Sequence, residues 1–341
     1  MSSSDNIIIL FPHPPASGGP GTFQGHFEHV AKNNNIQIVY GISNILKADI
    51  VFVVAGTKKI ILLMLAKLLR VPIIHRLDGI NWNQNAKGFP LLMKLKQDVR
   101  NLLMLLTRNI FASTVIYQSE YVRNLWDDRF GVLKKDSAII YNGTDLSIFS
   151  NGSSQCTKEG PLSIICVEGE VQPNEYYVEI FKLINDDFMD KGIVKSIKVV
   201  GRVSSEYKAK FDKIPDVEFL GVKSRAEMPS LYNSNHIFFC LEINPPCPNS
   251  VVEALASGLP VIGYNTGSLS ELVGSIETLS DYGKADSFSG EKPEVDSIVS
   301  ALNFVIKNYD SLSLKARERA ENNFCRDIMV RKYLEKIKEV I

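Results

Sequence analysis

Residues 245–268 read PPCPNSVVEALASGLPVIGYNTGS, and this stretch decides the fold class. A rigid, proline-rich lead-in is followed by a helical pattern, NSVVEALASG, and then by the apolar strand PVIGY and a Thr-Gly-Ser turn. A short helix that leads into an apolar strand is typical of a parallel sheet covered by helices. Glu253 is the only carboxylate in the stretch, so its role is the first question that the sequence poses.

The same alternation of apolar strands and helices extends through the rest of the chain. The predicted strands lie at 7–11, 36–40, 49–54, 71–77, 114–119 and 137–143, and again at 162–168, 196–202, 217–221, 236–242 and 260–264. A polar segment rich in glycine and serine, 150–162, separates the two sets and reads as a linker. The pattern therefore predicts an α/β protein with two Rossmann-like, doubly wound domains, 1–150 and 151–324, facing across a cleft.

Composition excludes several classes of protein. The 341 residues contain 38 basic and 38 acidic side chains, and this balance argues against a general nucleic-acid binder. Five scattered cysteines without a C-x-x-C pair suggest neither a zinc ribbon nor a disulfide framework, so we expect a reduced, cytoplasmic protein. The amino terminus lacks a signal-peptide pattern, and the most apolar segments are too short and too charged to span a bilayer.

Two apolar segments that carry lysine and arginine, 58–70 and 91–108, leave two interpretations open. They are either ordinary core helices with snorkelling lysines or a peripheral contact with the inner face of an anionic membrane. The sequence favours core helices.

Two loops of the first domain are candidate sites. Gly18, Gly19 and Gly21 precede a helix, where glycines allow backbone N–H groups to approach an anion, although a plain tight turn explains them as well. Asp78 follows the fourth strand, at the edge of the sheet where ligands are expected, although an Asp-Gly turn is the simpler interpretation.

The helix of the opening stretch has two compatible interpretations. If Ser250 is the N-cap, Ser250 and Glu253 form a capping box, and the carboxylate has a structural role. Alternatively, free N–H groups near Ser250 and Val251 hold a pyrophosphate while Glu253 accepts hydrogen bonds from a ribose.

At this point the sequence resembles a known family. The block PPCPNSVVEALASGLPVIGYNTGSLSELV is similar to the signature of glycosyltransferase family 4, which comprises retaining, group 1 type enzymes with the GT-B fold. The segments SGGPGTF, IIYNGTDLSIF and VEFLGVKSRAEMPSLYNSNHIFF also resemble this family. The terminal CRDIMVRKYLEKI resembles the helix, about 325–341, that returns to the first domain.

The resemblance implies transfer of a sugar from a nucleotide-diphosphate donor with retention of configuration. Glu253 is then expected to bind the ribose, and the backbone at Asn249, Ser250 and Val251 to bind the diphosphate. Asp78 stands where much of the family has a histidine, and a carboxylate there is expected to act catalytically by stabilising positive charge at the anomeric carbon.

The other expected donor contacts lie in glycine loops and at a strand end. Gly18, Gly19 and Gly21 are expected to lie near the donor. Gly201 and Arg202 end the strand 196–202, and Arg202 is the best replacement for cations that the family usually has in the loop 167–177, which is acidic in this chain. Pro245 occupies the family's first acidic position, for which Glu242 or Asn244 could substitute.

We expect neither a metal nor a cofactor. The sequence has no Asp-x-Asp motif, and His26 and His29 lack an apparent third ligand. The expected partners are a nucleotide sugar and a glycan or lipid-linked acceptor, in the synthesis of a surface polysaccharide or lipopolysaccharide. Alternatives are a GT-B relative that modifies the nucleotide sugar itself, such as a 2-epimerase, and a catalytically degenerate binding subunit; a nicotinamide-dependent dehydrogenase is disfavoured because the dinucleotide fingerprint is missing.

Overall fold

The structure of the chain is a computed structural model that describes residues 7–15, 18–32, 34–81, 90–150 and 160–341. The chain divides into two compact units, Met1–Gly143 with Arg326–Ile341, and Thr144–Cys325. Most of the predicted linker, 151–159, lies outside the described residues.

The first unit is a parallel six-stranded sheet in the order β2-β1-β3-β4-β5-β6, with helices between the strands. Its strands are β1 (Ile7–Phe11), β2 (Ile36–Tyr40), β3 (Ile50–Val54), β4 (Ile73–Leu77), β5 (Thr114–Tyr117) and β6 (Asp136–Ile139). Its helices are α1 (Gly19–Ala31), α2 (Ile60–Leu68), α3 (Leu91–Leu106), α4 (Glu120–Phe130) and the terminal α12 (Arg326–Val340). A 3₁₀ segment at Ile42–Lys47 precedes β3, and a π-helical turn at Thr107–Phe111 extends α3.

The second unit repeats this plan with the strand order β12-β11-β10-β7-β8-β9, again all parallel. Its strands are β7 (Leu162–Glu170), β8 (Val194–Arg202), β9 (Val217–Gly221), β10 (Ile237–Cys240), β11 (Val261–Tyr264) and β12 (Leu279–Ser280). Its helices are α5 (Glu175–Ile184), α6 (Ser205–Ala209), α7 (Met228–Asn233), α8 (Asn249–Ala256), α9 (Leu269–Val273), α10 (Asp296–Lys307) and α11 (Tyr309–Asn323). A π-helical turn at Asn185–Met189 follows α5.

The predicted α/β class with two Rossmann-like sheets is confirmed. The central strands are buried on both faces, as in β3, where Ile50 to Val53 have no exposed surface, because helices cover both sides of a parallel sheet. Three strands differ from their predicted limits: 71–77 begins at Ile73, 137–143 ends at Ile139, and 236–242 ends at Cys240. The remaining predicted residues form loops at the sheet edge.

An aromatic cluster forms the core of the first unit on one side of its sheet. Phe11 and Phe52 lie on adjacent strands with ring centroids 5.2 Å apart, and Phe23 of α1 lies 5.0 Å from Tyr333 of α12. Tyr333 is completely buried. The last helix of the chain is therefore an integral part of the first unit.

Within the described ranges, no helix is both long and apolar enough to cross a bilayer. Segment 91–108 nevertheless differs from the favoured interpretation, because only Asn101, Met104, Thr107 and Arg108 of it are buried. It is not an ordinary core helix.

Candidate functional site

The helix α8 places Glu253 at the edge of the second sheet where strands end. α8 follows the strand β10 through a proline-rich loop, so its amino terminus lies near the carboxyl ends of the strands. Residues 251–256 are all buried, and Glu253 itself is only 8% exposed. A buried carboxyl group needs polar partners, since burial without them is costly.

The predicted capping box is wrong. An N-cap at Ser250 would start the helix at Val251, whereas the helix begins two residues earlier, at Asn249, with Pro248 as the capping residue and no side-chain cap. The first hydrogen bond of the helix runs from the Val252 N–H to the Pro248 carbonyl at 3.3 Å. Helix geometry therefore leaves the N–H groups of Ser250 and Val251 without an intrahelical acceptor, and no side chain caps them.

Glu253 instead contacts two side chains that lie upstream in the sequence. The Tyr232 hydroxyl lies 3.4 Å from Glu253 Oε2 and 3.2 Å from the Ser250 carbonyl, and it has one proton for these two acceptors. Arg225 lies 3.5 Å from Oε1 and is about half exposed. Burial raises the pKa of Glu253 to about 7, and the charge of Arg225 and the Tyr232 hydroxyl oppose the rise.

A pair of carboxyl groups, those of Glu168 and Glu242, lies at the same end of this sheet as Glu253. Glu168 belongs to β7 and Glu242 follows β10, which is the neighbouring strand. The Glu242 backbone N–H donates to the Glu168 carboxylate. Burial raises the pKa of both groups, and repulsion between the two charges raises that of Glu168 further. The edge of the second sheet therefore favours protonated carboxyl groups near neutral pH.

Gly201 and Arg202 end β8 beside this pair. Gly201 has a φ of +138°, and a Cβ atom there would lie 2.2 Å from the Glu168 carbonyl oxygen, so only glycine fits between β7 and β8. Arg202 is 71% exposed and lies 3.8 Å from Glu170. Such an exposed, loose pair holds the guanidinium weakly.

Pro245, which stands at the family's first acidic position, has a backbone role in this structure. Its carbonyl accepts a hydrogen bond from the Ser268 N–H at 2.8 Å, and a Cβ atom on Gly267 would lie 2.4 Å from its nitrogen. Of the predicted substitutes, Asn244 is buried, and its Oδ1 accepts from the Ser287 hydroxyl at 3.0 Å. Asn244 Nδ2 has no hydrogen-bond partner among the described residues.

In the first unit, Asp78 belongs to a charged network at the end of β4. Arg76 Nη1 donates to Asp78 Oδ1 at 2.7 Å. The Gln118 amide also donates to Asp78 Oδ1, and the Trp126 indole N–H donates to the Asp78 carbonyl at 2.9 Å. Burial raises the pKa of Asp78, and the charge and hydrogen bond of Arg76 oppose this rise.

Arg76 is itself 1% exposed and organises this network. Its Nη2 donates to Gln118 Oε1 at 2.6 Å and to Asn142 Oδ1 at 2.7 Å, and its guanidinium lies 4.4 Å from the centroid of the Phe23 ring. Asp78 is therefore a carboxylate held in a fixed position, with 23% of its side chain exposed.

The glycine loop of the first unit leads into α1. Gly18 is the capping residue, with a φ of +87°, and α1 begins at Gly19 without a side-chain cap. Gly18 and Gly19 are exposed, whereas Gly21 is buried. Gly18 thus adopts a backbone conformation that favours glycine, and the proximity of the loop to a donor stays a prediction.

The histidines considered as metal ligands do not form a cluster. His26 Nδ1 lies 3.1 Å from the Gly143 carbonyl oxygen, and His29 is exposed on the same helix. Among the described residues, no group of three or more His, Cys, Asp or Glu side chains could hold a metal ion. Metal independence of any activity remains a prediction.

Sequence reasoning missed Arg225, Tyr232 and the pairing of Glu168 with Glu242. Arg225 and Tyr232 lie in the segment VEFLGVKSRAEMPSLYNSNHIFF, whose resemblance to the family was the available signal. Arg76 was the other omission, and its signal was a lone arginine inside an apolar strand, which requires buried partners.

Comparison with known proteins agrees with the predicted family and fold. Residues 188–323 match the family model described as Glycosyl transferases group 1. This segment contains Gly201, Arg202, Arg225, Tyr232 and Glu253. No curated protein sequence matches the chain significantly.

Solved structures match nearly the full chain. Sucrose-phosphate synthase from Thermosynechococcus elongatus has a TM-score of 0.72 at 12% identity, covering 98% of this chain and 99% of that chain. Anabaena Alr3699/HepE in complex with UDP and glucose has a TM-score of 0.69 at 16% identity, covering 98% and 100%. A glycosyltransferase from Rickettsia africae has a TM-score of 0.68 at 15% identity, covering 98% and 99%.

Membership of glycosyltransferase family 4 in particular stays a prediction, because the matching family model describes the broader group. The predicted GT-B fold is confirmed, and the predicted resemblance to group 1 glycosyl transferases is confirmed over residues 188–323.

Proposed function

We propose that this protein transfers a sugar from a nucleotide-diphosphate donor to a glycan or lipid-linked acceptor, with retention of the anomeric configuration. The observation that carries the proposal is the position of Glu253 within the matched segment 188–323, in the first turns of a helix whose Ser250 and Val251 N–H groups have no cap. Anabaena HepE, a structure of the same fold, is in complex with UDP and glucose.

Glu253 is proposed to bind the ribose of the donor. Its carboxylate lies one turn along α8 from uncapped N–H groups, so one ligand with a diphosphate and two neighbouring hydroxyl groups can satisfy both. Its present contacts, at 3.4 Å to Tyr232 and 3.5 Å to Arg225, are long and therefore easily exchanged for ligand hydroxyl groups.

The second unit is proposed to balance the diphosphate charge mainly with the amino end of α8 and with arginine. Arg202 is substantially exposed and only loosely paired, and Arg225 is about half exposed beside Glu253, so both are candidate ligands for an anion. The raised pKa values of Glu168 and Glu242 reduce the negative charge at this edge. The buried, unpartnered Nδ2 of Asn244 is a candidate donor to a sugar oxygen in place of the carboxylate that Pro245 replaces.

Asp78 is proposed as the catalytic carboxylate that stabilises positive charge at the anomeric carbon. It is held by Arg76 and Gln118 with part of its side chain exposed, so it is oriented before any ligand arrives. The expected pathway is the assembly of a surface polysaccharide, lipopolysaccharide or similar glycan. Metal independence and a cytoplasmic location are part of the proposal.

The test is a thermal-shift screen of the full chain against UDP, GDP, ADP and their sugars. A ligand at one hundred times its dissociation constant adds about 2.7 kcal/mol to stability. Glu253→Gln should abolish the shift, whereas Glu206→Gln, which changes an exposed glutamate of the same unit, should leave it intact. An unchanged shift in a folded Glu253→Gln protein contradicts the ribose role.

Turnover separates the proposal from its two alternatives. Release of nucleoside diphosphate that requires an added acceptor supports transfer. Conversion of the donor in buffer alone supports a relative that modifies the nucleotide sugar, such as a 2-epimerase. An absence of both turnover and nucleotide binding supports a degenerate binding subunit, an alternative that Pro245 and the acidic 167–177 loop favour.

A further inference from the structure

The first half of α3 has an apolar face that is exposed among the residues that the structure describes. Residues 91–96 and 98–100 are all exposed, and Leu92 is 83% exposed. At about 3.6 residues per turn, Leu91, Leu92, Leu95, Val99 and Leu102 lie on one side of the helix. All five are exposed.

The buried side of α3 is the opposite one. Asn101 and Met104 are the buried residues of α3, and Asn101 forms hydrogen bonds with Asn81 at 2.9 to 3.0 Å. By the same helical repeat, Met104 lies nearly opposite Leu95 and Leu102, and Asn101 lies about 100–120° around the helix from them. The second half of the helix is thus anchored while the leucines of its first half, Leu91, Leu92 and Leu95, are exposed.

The helix α2 carries a second exposed apolar stripe. Leu62, Leu63 and Ala66 are buried in the core, whereas Ile61, Met64 and Leu68 are exposed, with Leu68 at 77%. Positions 61, 64 and 68 follow the spacing of one helical face. A stripe of this kind in a helix that already buries its other face is available to a partner.

The two stripes belong to one region of the first unit. The Lys67 ammonium group of α2 donates to the Ile110 carbonyl at 2.9 Å, in the π-helical turn that extends α3. Phe111 of this turn packs against the core beneath α2. Ile110 itself is exposed, so apolar surface also lies between the two helices.

The polar residues around these stripes are strongly basic. Segments 58–70 and 90–106 contain seven lysines and arginines and one acidic residue, Asp98, in a chain whose total charge is zero. The basic residues are Lys58, Lys59, Lys67, Arg70, Lys94, Lys96 and Arg100. Apolar side chains that alternate with basic ones match the acyl boundary and the phosphate groups of an anionic bilayer surface.

We propose that the α2–α3 surface, defined by Ile61, Met64, Leu68, Leu92, Leu95 and Leu102, docks onto the face of an anionic lipid membrane. The leucines and their neighbours enter the region between headgroups and acyl chains, and the lysines bind lipid phosphates. The surface lies in the first unit and needs no nucleotide, so the inference goes beyond the proposed transfer reaction. It gives that reaction a location at which a lipid-linked acceptor is present.

The test is co-sedimentation of the full chain with vesicles, without nucleotide. Vesicles of phosphatidylglycerol and phosphatidylcholine should bind the protein at least tenfold more than vesicles of phosphatidylcholine alone, and added salt should weaken binding. Leu92→Asp combined with Leu95→Asp should reduce binding at least tenfold. Because both side chains are exposed, the variant should keep its thermal midpoint.

The matched control is Leu314→Asp, which changes an exposed leucine of the second unit and should leave vesicle binding unchanged. Equal binding by the wild type and the double variant overturns the proposal. So does a wild-type dimer, seen by sedimentation, that dissociates in the double variant while neither protein binds vesicles, because the occupant is then a second copy of the chain. A nucleotide thermal shift that persists in the double variant shows that the donor site is independent of this result.

Discussion

Carboxyl groups lie at the strand ends of both units, but their charged partners differ between the two units. In the first unit, Asp78 is bound by the buried guanidinium of Arg76 at 2.7 Å. In the second unit, Glu253 is 3.5 Å from its nearest cation, Arg225, and Glu168 and Glu242 lie close enough to repel each other. Burial raises the pKa of the carboxyl groups at both edges, but of these four groups Asp78 alone is in contact with a buried guanidinium.

This difference in partners suits the carboxyl groups of the two units to different roles. A carboxylate that is ion-paired and hydrogen-bonded is fixed in direction before any ligand arrives, which suits a group that acts on a reacting centre. Carboxyl groups without close cations are costly to ionise, and a ligand that donates hydrogen bonds to them recovers part of that cost. The carboxyl groups of the second edge therefore lower the stability of the free protein above neutral pH, a cost that the proposed ribose contact would offset in part.

The largest expected effect comes from removing the cation of the first unit. Arg76→Met leaves Asp78, Gln118 and Asn142 without their shared donor, and loss of one partner of a buried ion pair costs about 3–5 kcal/mol. Urea unfolding of the full chain measures this loss. Arg331→Met, at an exposed arginine of the same unit, is the control, and equal unfolding midpoints for both variants would contradict the role of Arg76.

A second variant refines this result. Arg76→Met combined with Asp78→Asn removes the uncompensated charge as well, so it should recover part of the lost free energy of unfolding. Recovery indicates that the cost lies in the unpaired carboxylate. No recovery indicates that the packing of the guanidinium on Phe23 dominates.

The next effect is a dependence of stability on pH that arises in the second unit. A carboxyl group whose pKa is raised by folding holds its proton in the folded state, so its stabilising contribution is present below the unfolded pKa and is lost as pH rises through the folded value. For Glu253, a rise from 4.5 to about 7 corresponds to about 3 kcal/mol between pH 4.5 and pH 8.

Glu253→Gln should therefore unfold at higher urea than the wild type at pH 8, and at nearly the same urea concentration at pH 5. The same variant should lose nucleotide binding, which separates the two functions of the side chain. A loss of stability at pH 8 in Glu253→Gln would place this carboxylate in a structural ion pair like that of Asp78.

The smallest of these effects concerns the backbone that brings the second set of carboxyl groups together. Gly201→Ala forces a Cβ atom against the Glu168 carbonyl in a backbone conformation that favours glycine, at a cost of about 1–3 kcal/mol. Gly169→Ala, in β7 with open space around its Cα, is the control. Equal thermal midpoints would show that β7 and β8 can separate without penalty.

The positions of the strands along the chain could be predicted from the sequence because most strands are short apolar runs bounded by turn residues, as in IIILF and IVFVV. The helix α4 was not predicted, since EYVRNLWDDRF is mostly polar and only Val122 and Trp126 of it are buried. The terminal helix expected at about 325–341 is α12, Arg326–Val340, and two further helices, α10 and α11, precede it.

For the candidate site too, relations between neighbouring residues could be predicted and relations between distant segments could not. Local signals placed Glu253 on a helix and Asp78 at a strand end, since both depend on a few neighbouring residues. The Glu168–Glu242 pair depends on which strands lie side by side, and Arg225 reaches Glu253 from a different loop; neither relation is visible in a local pattern. Periodicity identified the apolar face of α3, but it does not determine whether such a face points inward or outward.

The burial of Tyr333 among Phe23, Phe27 and Phe52 has a consequence for biosynthesis. A ribosome releases the amino-terminal sheet first, yet the helix that completes its core is translated only after the entire second unit. The nascent first unit therefore exposes an aromatic surface until α12 is synthesised, whereas the second unit can fold as soon as its own residues are synthesised. Chaperones that recognise exposed aromatic side chains are expected to engage the earlier half of the nascent chain.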